Sequence, residues 1–168
     1  MNINFFKKLF LFLFLLSCQQ AKKEPTKNAP VDESIDNRKQ SLKLIADSLY
    51  KRDDYAKAIK YFDTLIELDP HNGELYYKRG YSYDMVYKRP ELKEAIADYL
   101  KSIELGYEKA DCYYNLGLSY MFQNDSTAIS YFKKSLEVKP DNPDVVILIG
   151  QCKKRLNDKK HQRASNTL

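Results

Sequence analysis

From Leu42 onward the apolar residues fall at steps of three and four, the period of a helix with one buried face. Leu42, Ile45, Ala46 and Leu49 form one such stripe, and Ala56, Ile59, Phe62, Leu65 and Ile66 form a second. Between them Asp53-Asp54 offers helix caps. Asp69-Pro70 ends the second stripe, because the residue before a proline is pushed out of the helical region. The two-stripe unit then returns. Asn72 stands as a cap ahead of Tyr76, Gly80 and Tyr83. Pro90 suits the first turn of a helix lined by Leu92, Ala95, Ile96, Tyr99 and Ile103, and Gly106 ends it. A third round runs through Tyr113, Leu116, Gly117 and Tyr120, then Ala128, Phe132, Leu136, Val138 and Pro140. Asn142-Pro143 opens a last stripe, Val146, Ile149, Gly150 and Lys153, with no partner stripe behind it.

The units share a spaced signature. A small residue is followed four positions on by an aromatic, as in Ala58 and Phe62, Ala95 and Tyr99, Ala128 and Phe132; the alanines recur after 37 and 33 residues. This period, with two helical halves per unit, resembles the tetratricopeptide repeat. The resemblance implies an all-α fold, a right-handed superhelical α-solenoid of about three helix pairs with a C-terminal capping helix. The repeats fall at about 39–72, 73–109 and 110–142, the cap at 143–158, and the domain at 36–158. Gly80 and Gly117 are placed where paired helices cross, facing the alanines, so that the helices approach to the short end of the ~8–10 Å range. Phe62, Tyr99 and Phe132 fill the gap alongside. Arg79 departs from the motif, standing where an apolar residue is usual. The cap is expected to cover the last full unit with Val146, Ile149 and Leu156.

In this family the concave surface is lined by the fifth, ninth, twelfth and thirteenth positions of each first helix. Carried onto this chain, that gives Lys43, Asp47, Tyr50 and Lys51; Tyr77, Tyr81, Asp84 and Met85; Tyr114, Leu118, Met121 and Phe122; and, from the cap, Ile147, Gln151, Lys154 and Arg155. The middle of the groove is thus aromatic and apolar, with charge toward both ends. Some grooves of the family bind C-terminal carboxylates through basic residues and asparagines. Here Lys43 matches the first such position, but Asp47 stands where asparagine is needed, and Asp111 and Asn115 stand where later cations would be.

The chain's two ends read differently. Lys7 and Lys8 precede an unbroken Leu/Phe run, Leu9 to Leu16. Eight residues make about 12 Å of helix, far short of a ~30 Å hydrocarbon core. Residues 1–17 read as a secretory signal. The stop Leu15-Leu16-Ser17-Cys18 resembles the lipobox of bacterial lipoproteins. The resemblance implies three acyl chains on Cys18, an anchor that does not release. Gln19, in place of the aspartate that retains many lipoproteins in the inner membrane, points to an outer membrane. Residues 18–35 are polar, with Pro25 and Pro30, and are expected to form a disordered tether; residues 159–168 are expected to be a disordered tail.

With Lys7 and Lys8 removed, the formal charge of +5 falls to about +3, too little to argue for nucleic acid. Cys112 and Cys152 sit at different heights of their repeats, about 10 Å apart along the axis, so a disulfide is not expected. Catalysis is not expected either. His71 and His161 lie near no nucleophile, no glycine-rich phosphate loop occurs, and no cluster has metal-ligand spacing. No cofactor, metal or small-molecule substrate is implied. The expected function is a membrane-anchored scaffold or assembly factor of the bacterial cell envelope, holding a protein or peptide segment in the groove. The alternative is a glycan-binding envelope lipoprotein, tyrosine faces stacking on sugar rings. Cys18→Ala should abolish palmitate labelling and detergent partitioning of the chain; unchanged labelling would remove the anchor.

Overall fold

The computed structural model describes residues 30–88 and 93–165, with side chains from Ser34 onward. The expected leader, Cys18 and most of the expected tether lie outside the described residues, as do Pro90 and Leu92. Among the described residues there are seven helices and no strand: α1 (Pro30–Lys51), α2 (Tyr55–Leu68), α3 (Gly73–Tyr87), α4 (Lys93–Glu104), α5 (Ala110–Met121), α6 (Asp125–Val138) and α7 (Pro143–Ser165). The chain divides into two units, Met1–Asp36 and Asn37–Leu168. The packed helices belong to the second, and every contact below lies within it. α1 begins at Pro30, inside the stretch expected as tether, because proline's fixed φ suits the first helical turn. α7 runs on to Ser165, through the expected tail.

The helices stack in chain order as an all-α solenoid of pairs. α3 packs on α4 and α5 on α6, while α2, α4 and α6 each pack on the first helix of the next unit. Ala46, Leu49, Ala58, Phe62 and Leu65 bury one core between α1 and α2, with Leu75 of α3 added. Ala95 and Tyr99 meet Cys112 and Leu116 in a second, and Ala128 and Phe132 meet Val145, Ile149 and Cys152 in a third. Phe62, Tyr99 and Phe132 are wholly buried. The glycines sit where the pattern placed them. A Cβ at Gly80 would lie 3.1 Å from the Ala95 carbonyl, and one at Gly117 would overlap the Phe132 ring. Gly150, the same register position on α7, has nothing within 4 Å of where a Cβ would stand.

Helix ends follow local chemistry, with one exception among the Asp and Asn caps. Asn72 and Asn124 cap α3 and α6, accepting from the Glu74 amide and from the Ser126 and Thr127 amides. Gly106 closes α4 at φ 82°, with the Gly106 amide donating to the Ile103 carbonyl and the Tyr107 amide to Ser102. The same paired bonds end α1, where Asp53 takes the left-handed position at φ 60°. The exception is Asp54. It holds the cap position of α2, yet its carboxylate makes no cap bond and takes the Lys57 ammonium at 2.7 Å instead.

Arg79 finds a purpose the pattern did not supply. Its guanidinium is bidentate to Asp98 of α4, at 2.8 and 2.7 Å, and donates to Asp63 of α2 at 2.8 Å. It also lies over the Tyr76 ring. Burial pushes the Asp98 carboxyl up, and the guanidinium pulls against that shift. Arg79 thus ties three helices across two repeats.

The cap uses Ile149 as expected, but Val145 and Cys152 in place of Val146 and Leu156. α7 turns Val145, Ile149 and Cys152 onto α6, whereas Val146 is 56% exposed. One residue turns a helix by about 100°, so Val146 lies off the face that Val145 buries. α7 is also bolted by charge. Asp125, at the start of α6 and 4% exposed, accepts from Arg155 Nε at 2.8 Å and Lys159 Nζ at 3.1 Å. Lys159 anchors the stretch beyond 158 that was expected to be tail. Cys112 and Cys152 are free and buried. The Cys112 thiol is pushed up to about 12 by burial, and it donates to the Tyr99 carbonyl.

Two measurements check this packing. Gly117→Ala forces a methyl onto Phe132 and should lower the melting temperature, overpacking costing about 1–3 kcal/mol. Gly150→Ala meets nothing and should raise it, by up to ~1 kcal/mol of helix propensity. For Asp125, burial works against the charge, but Arg155 and Lys159 outweigh it and hold the carboxyl below its usual range. A depressed folded value contributes stability above the ordinary carboxylate pKa of about 3.9, lost as pH falls through the lower folded value. Asp125→Asn should therefore melt lower than wild type at pH 7, by about 1 kcal/mol given the exposed cations, and the gap should close below about pH 4.

Candidate functional site

Three first helices and one turn converge on a concave surface. α1 ends in Tyr50 and Lys51, the left-handed turn presents Asp53, and α2 opens with Tyr55. α3 contributes Tyr77, Tyr81 and Met85, four residues apart and so on one helical face. α5 contributes Asp111, Tyr114, Asn115 and Leu118 from its matching face. Tyr50, Lys51, Asp53, Tyr55, Tyr77, Tyr81, Asp111, Tyr114 and Asn115 line a cavity of about 470 Å³. Tyr81 and Asn115 also border a second cavity of about 330 Å³, completed by Asp84, Met85, Lys88 and Leu118. The two shared residues make the surface continuous.

The tyrosines form a connected set. Tyr50 meets Tyr55 edge-on at 5.6 Å between centroids, and Tyr81 lies 5.6 Å from Tyr50 and 5.8 Å from Tyr55. Tyr77 adjoins Tyr81, Tyr99 and Tyr107. Such ring pairs add about 0.5–1.5 kcal/mol beyond the area they bury. Tyr50 packs on the first core, Tyr77 and Tyr81 on the second, and Tyr114 and Leu118 on the third. The groove wall is therefore also the outer layer of the core. Burial, reinforced by neighbouring phenols, keeps the Tyr50 hydroxyl protonated far above its usual range. At Tyr77 burial does the same, with the Asp111 carboxylate as the next cause.

Charges at one end are already spent on each other. Lys78 reaches both Asp47 and Glu74 at 2.7 Å, and Lys43 lies 3.7 Å from Glu74. Asp84 accepts from the buried Tyr99 hydroxyl at 2.6 Å. Tyr99 is the one of the three plugging aromatics with a hydroxyl, and Asp84 answers it. Asp53 accepts from the Tyr55 hydroxyl at 2.6 Å.

Of the residues expected in the groove, the structure gathers Tyr50, Lys51, Tyr77, Tyr81, Asp84, Met85, Tyr114 and Leu118. Lys43 and Asp47 belong to the ion-pair ladder between α1 and α3 and line neither cavity. Met121 packs against the third core, while Phe122 and Ile147 are 72% and 58% exposed. Gln151 lines neither cavity, Arg155 turns inward to Asp125, and Lys154 borders a separate surface hollow with Lys153 and Lys160. Asp53, Tyr55, Asp111 and Asn115 line the cavity without having been assigned to it. Tyr55 belongs to a second helix, and Asp53 to a turn. Asp111 and Asn115 are a turn of helix apart on the face beside Tyr114 and were weighed only as ill-matched carboxylate binders. Among the described residues no group of three or more His, Cys, Asp or Glu could hold a metal ion, and no helix is long and apolar enough to cross a membrane.

The tetratricopeptide repeat family matches at residues 40–72 and again at 110–142. No curated protein matches the sequence. Among solved structures, the first tetratricopeptide domain of Spaghetti (RPAP3) bound to the HSP90 peptide SRMEEVD is 20% identical, covering 72% of this chain and 94% of its own at a TM-score of 0.63. MamA is 22% identical, covering 79% and 84% at a TM-score of 0.65. The second such domain of human RPAP3, in complex with the HSP70 peptide SGPTIEEVD, is 22% identical, covering 71% and 98% at a TM-score of 0.60.

Proposed function

From this array of tetratricopeptide repeats, we propose that the chain is an interaction scaffold that holds a segment of a partner protein against the concave faces of α1, α3 and α5. The observation that carries the reading is the continuous surface joined at Tyr81 and Asn115, lined by five tyrosines in its larger part and by Met85 and Leu118 in the smaller. A cavity of this size suits inserted side chains better than a whole folded domain. Half-buried tyrosines offer large, rigid contact area, the chemistry enriched at interface hot spots. The peptides bound by the two RPAP3 domains are precedents for this use of the fold.

The Leu-Leu-Ser-Cys stop supports a lipid anchor on Cys18, which would set the scaffold at the bacterial cell envelope, at an outer membrane by the choice of Gln19. On this reading the chain is an assembly factor held near membrane-bound partners.

A second reading, binding of a glycan, has one observation in its favour. Asp53, Asp111 and Asn115 converge on the tyrosine-lined cavity, a set that could accept from and donate to sugar hydroxyls. A glycan array probed with the full chain tests it directly.

For the scaffold reading, Tyr81→Leu with Tyr114→Leu keeps apolar volume on both cores and removes the aromatic faces. Photocrosslinking from position 115 in cells should capture a partner protein, and the double variant should weaken that capture about thirtyfold, or ~2 kcal/mol, with helical circular dichroism retained. Undiminished capture would show that the tyrosines serve only as cover for the cores.

A further inference from the structure

Resting on the peptide reading above, we propose that the larger cavity receives a basic side chain, arginine or lysine, from an extended peptide. Its cation would sit between the Asp53 and Asp111 carboxylates and against the surrounding tyrosine faces.

Three observations select this occupant. First, the carboxylates arrive from separate elements, the α1–α2 turn and the first turn of α5, yet line one cavity. Among the described residues neither forms a salt bridge; Asp53 accepts only a phenol, from Tyr55 at 2.6 Å. Second, the lysines that could have reversed the sign are engaged. Lys78, with 17% of its side chain exposed, is held between Asp47 and Glu74, and Lys43 leans on Glu74. Lys51 also lines the cavity, exposed to solvent, which leaves the two carboxylates in excess by one charge. Third, Tyr50, Tyr55, Tyr77, Tyr81 and Tyr114 border the same space. A cation within about 6 Å of an aromatic face is attracted by the ring quadrupole, and arginine also stacks on it. An acidic segment with the charge of SRMEEVD would instead meet Asp53 and Asp111 as like charges, which selects against it.

The test uses the full-length chain and three fluorescein-labelled decapeptides. All carry the same leucine and phenylalanine anchors, and differ only in bearing two arginines, two glutamines or two glutamates. Fluorescence anisotropy should rank arginine at least tenfold tighter than glutamine, with glutamate weakest. The arginine advantage should shrink as salt is raised. Asp53→Asn with Asp111→Asn should cut the advantage of arginine over glutamine to within threefold. Asparagine tolerates the positive φ at position 53 and still offers Tyr55 an acceptor, so the fold should hold. The proposal is overturned if glutamate equals or exceeds arginine, or if the preference survives both substitutions. If all three bind alike, the charge inference fails and peptide binding stands. If none binds while a neutral glycan does, the peptide reading falls with it. Should the double variant misfold, a salt-insensitive ranking in the wild-type chain still refutes the proposal.

Discussion

Each helix pair depends on one close approach, a backbone with little or no side chain laid against a bulky ring. Ala46 and Ala58 flank Phe62, Gly80 faces Ala95 and Tyr99, and Gly117 lies under Phe132. Interiors are packed like organic crystals, so where the ring comes closest, at Gly117, it leaves no room even for a methyl. The stacking of pairs follows from this, because the ring that closes one pair also borders the next first helix. Tyr99 touches the core around Cys112 and Leu116, and Phe132 touches Val145 and Ile149. Stability in such an array passes between neighbours. α7 matters for that reason, closing the last face with Val145, Ile149 and Cys152.

Charge is used inside the array as a second kind of fastening. Arg79 joins Asp63 and Asp98 across α2, α3 and α4, and Asp125 joins Arg155 and Lys159 across α6 and α7. Removing one partner from such a group leaves a poorly solvated charge behind, so these pairs fix which helix lies against which more than they add net stability. The ladder of Lys43, Glu74, Lys78 and Asp47 does the same between α1 and α3. It also engages Lys43 and Lys78, so the larger cavity is lined by five tyrosines, Asp53, Asp111, Asn115 and the single cation Lys51.

The groove and the core share residues. Tyr50, Tyr77, Tyr81 and Tyr114 each rest on a buried cluster with one side and border the concave cavity with the other. A surface built this way is pre-organised, because its side chains are held by packing before a partner arrives. Asp84, placed on the groove stripe, is likewise drawn to the Tyr99 hydroxyl.

The sequence by itself determined the repeat, the helix pairs, the glycine crossings at Gly80 and Gly117, and the aromatic middle of the concave face. All of these are periodic features of single helices, and a period of 3.6 is visible along a chain. Only the tertiary structure decided which polar residues meet. Arg79 looked like a flaw until Asp63 and Asp98 stood beside it, and Arg155 looked like groove until Asp125 claimed it. Asp53 and Asp111, more than fifty positions apart, became one site only when the turn after α1 and the start of α5 were brought to the same hollow. The phase of α7 was settled the same way, Val145 inward and Val146 outward, because an amphipathic stripe several residues wide does not say which edge its neighbour will cover.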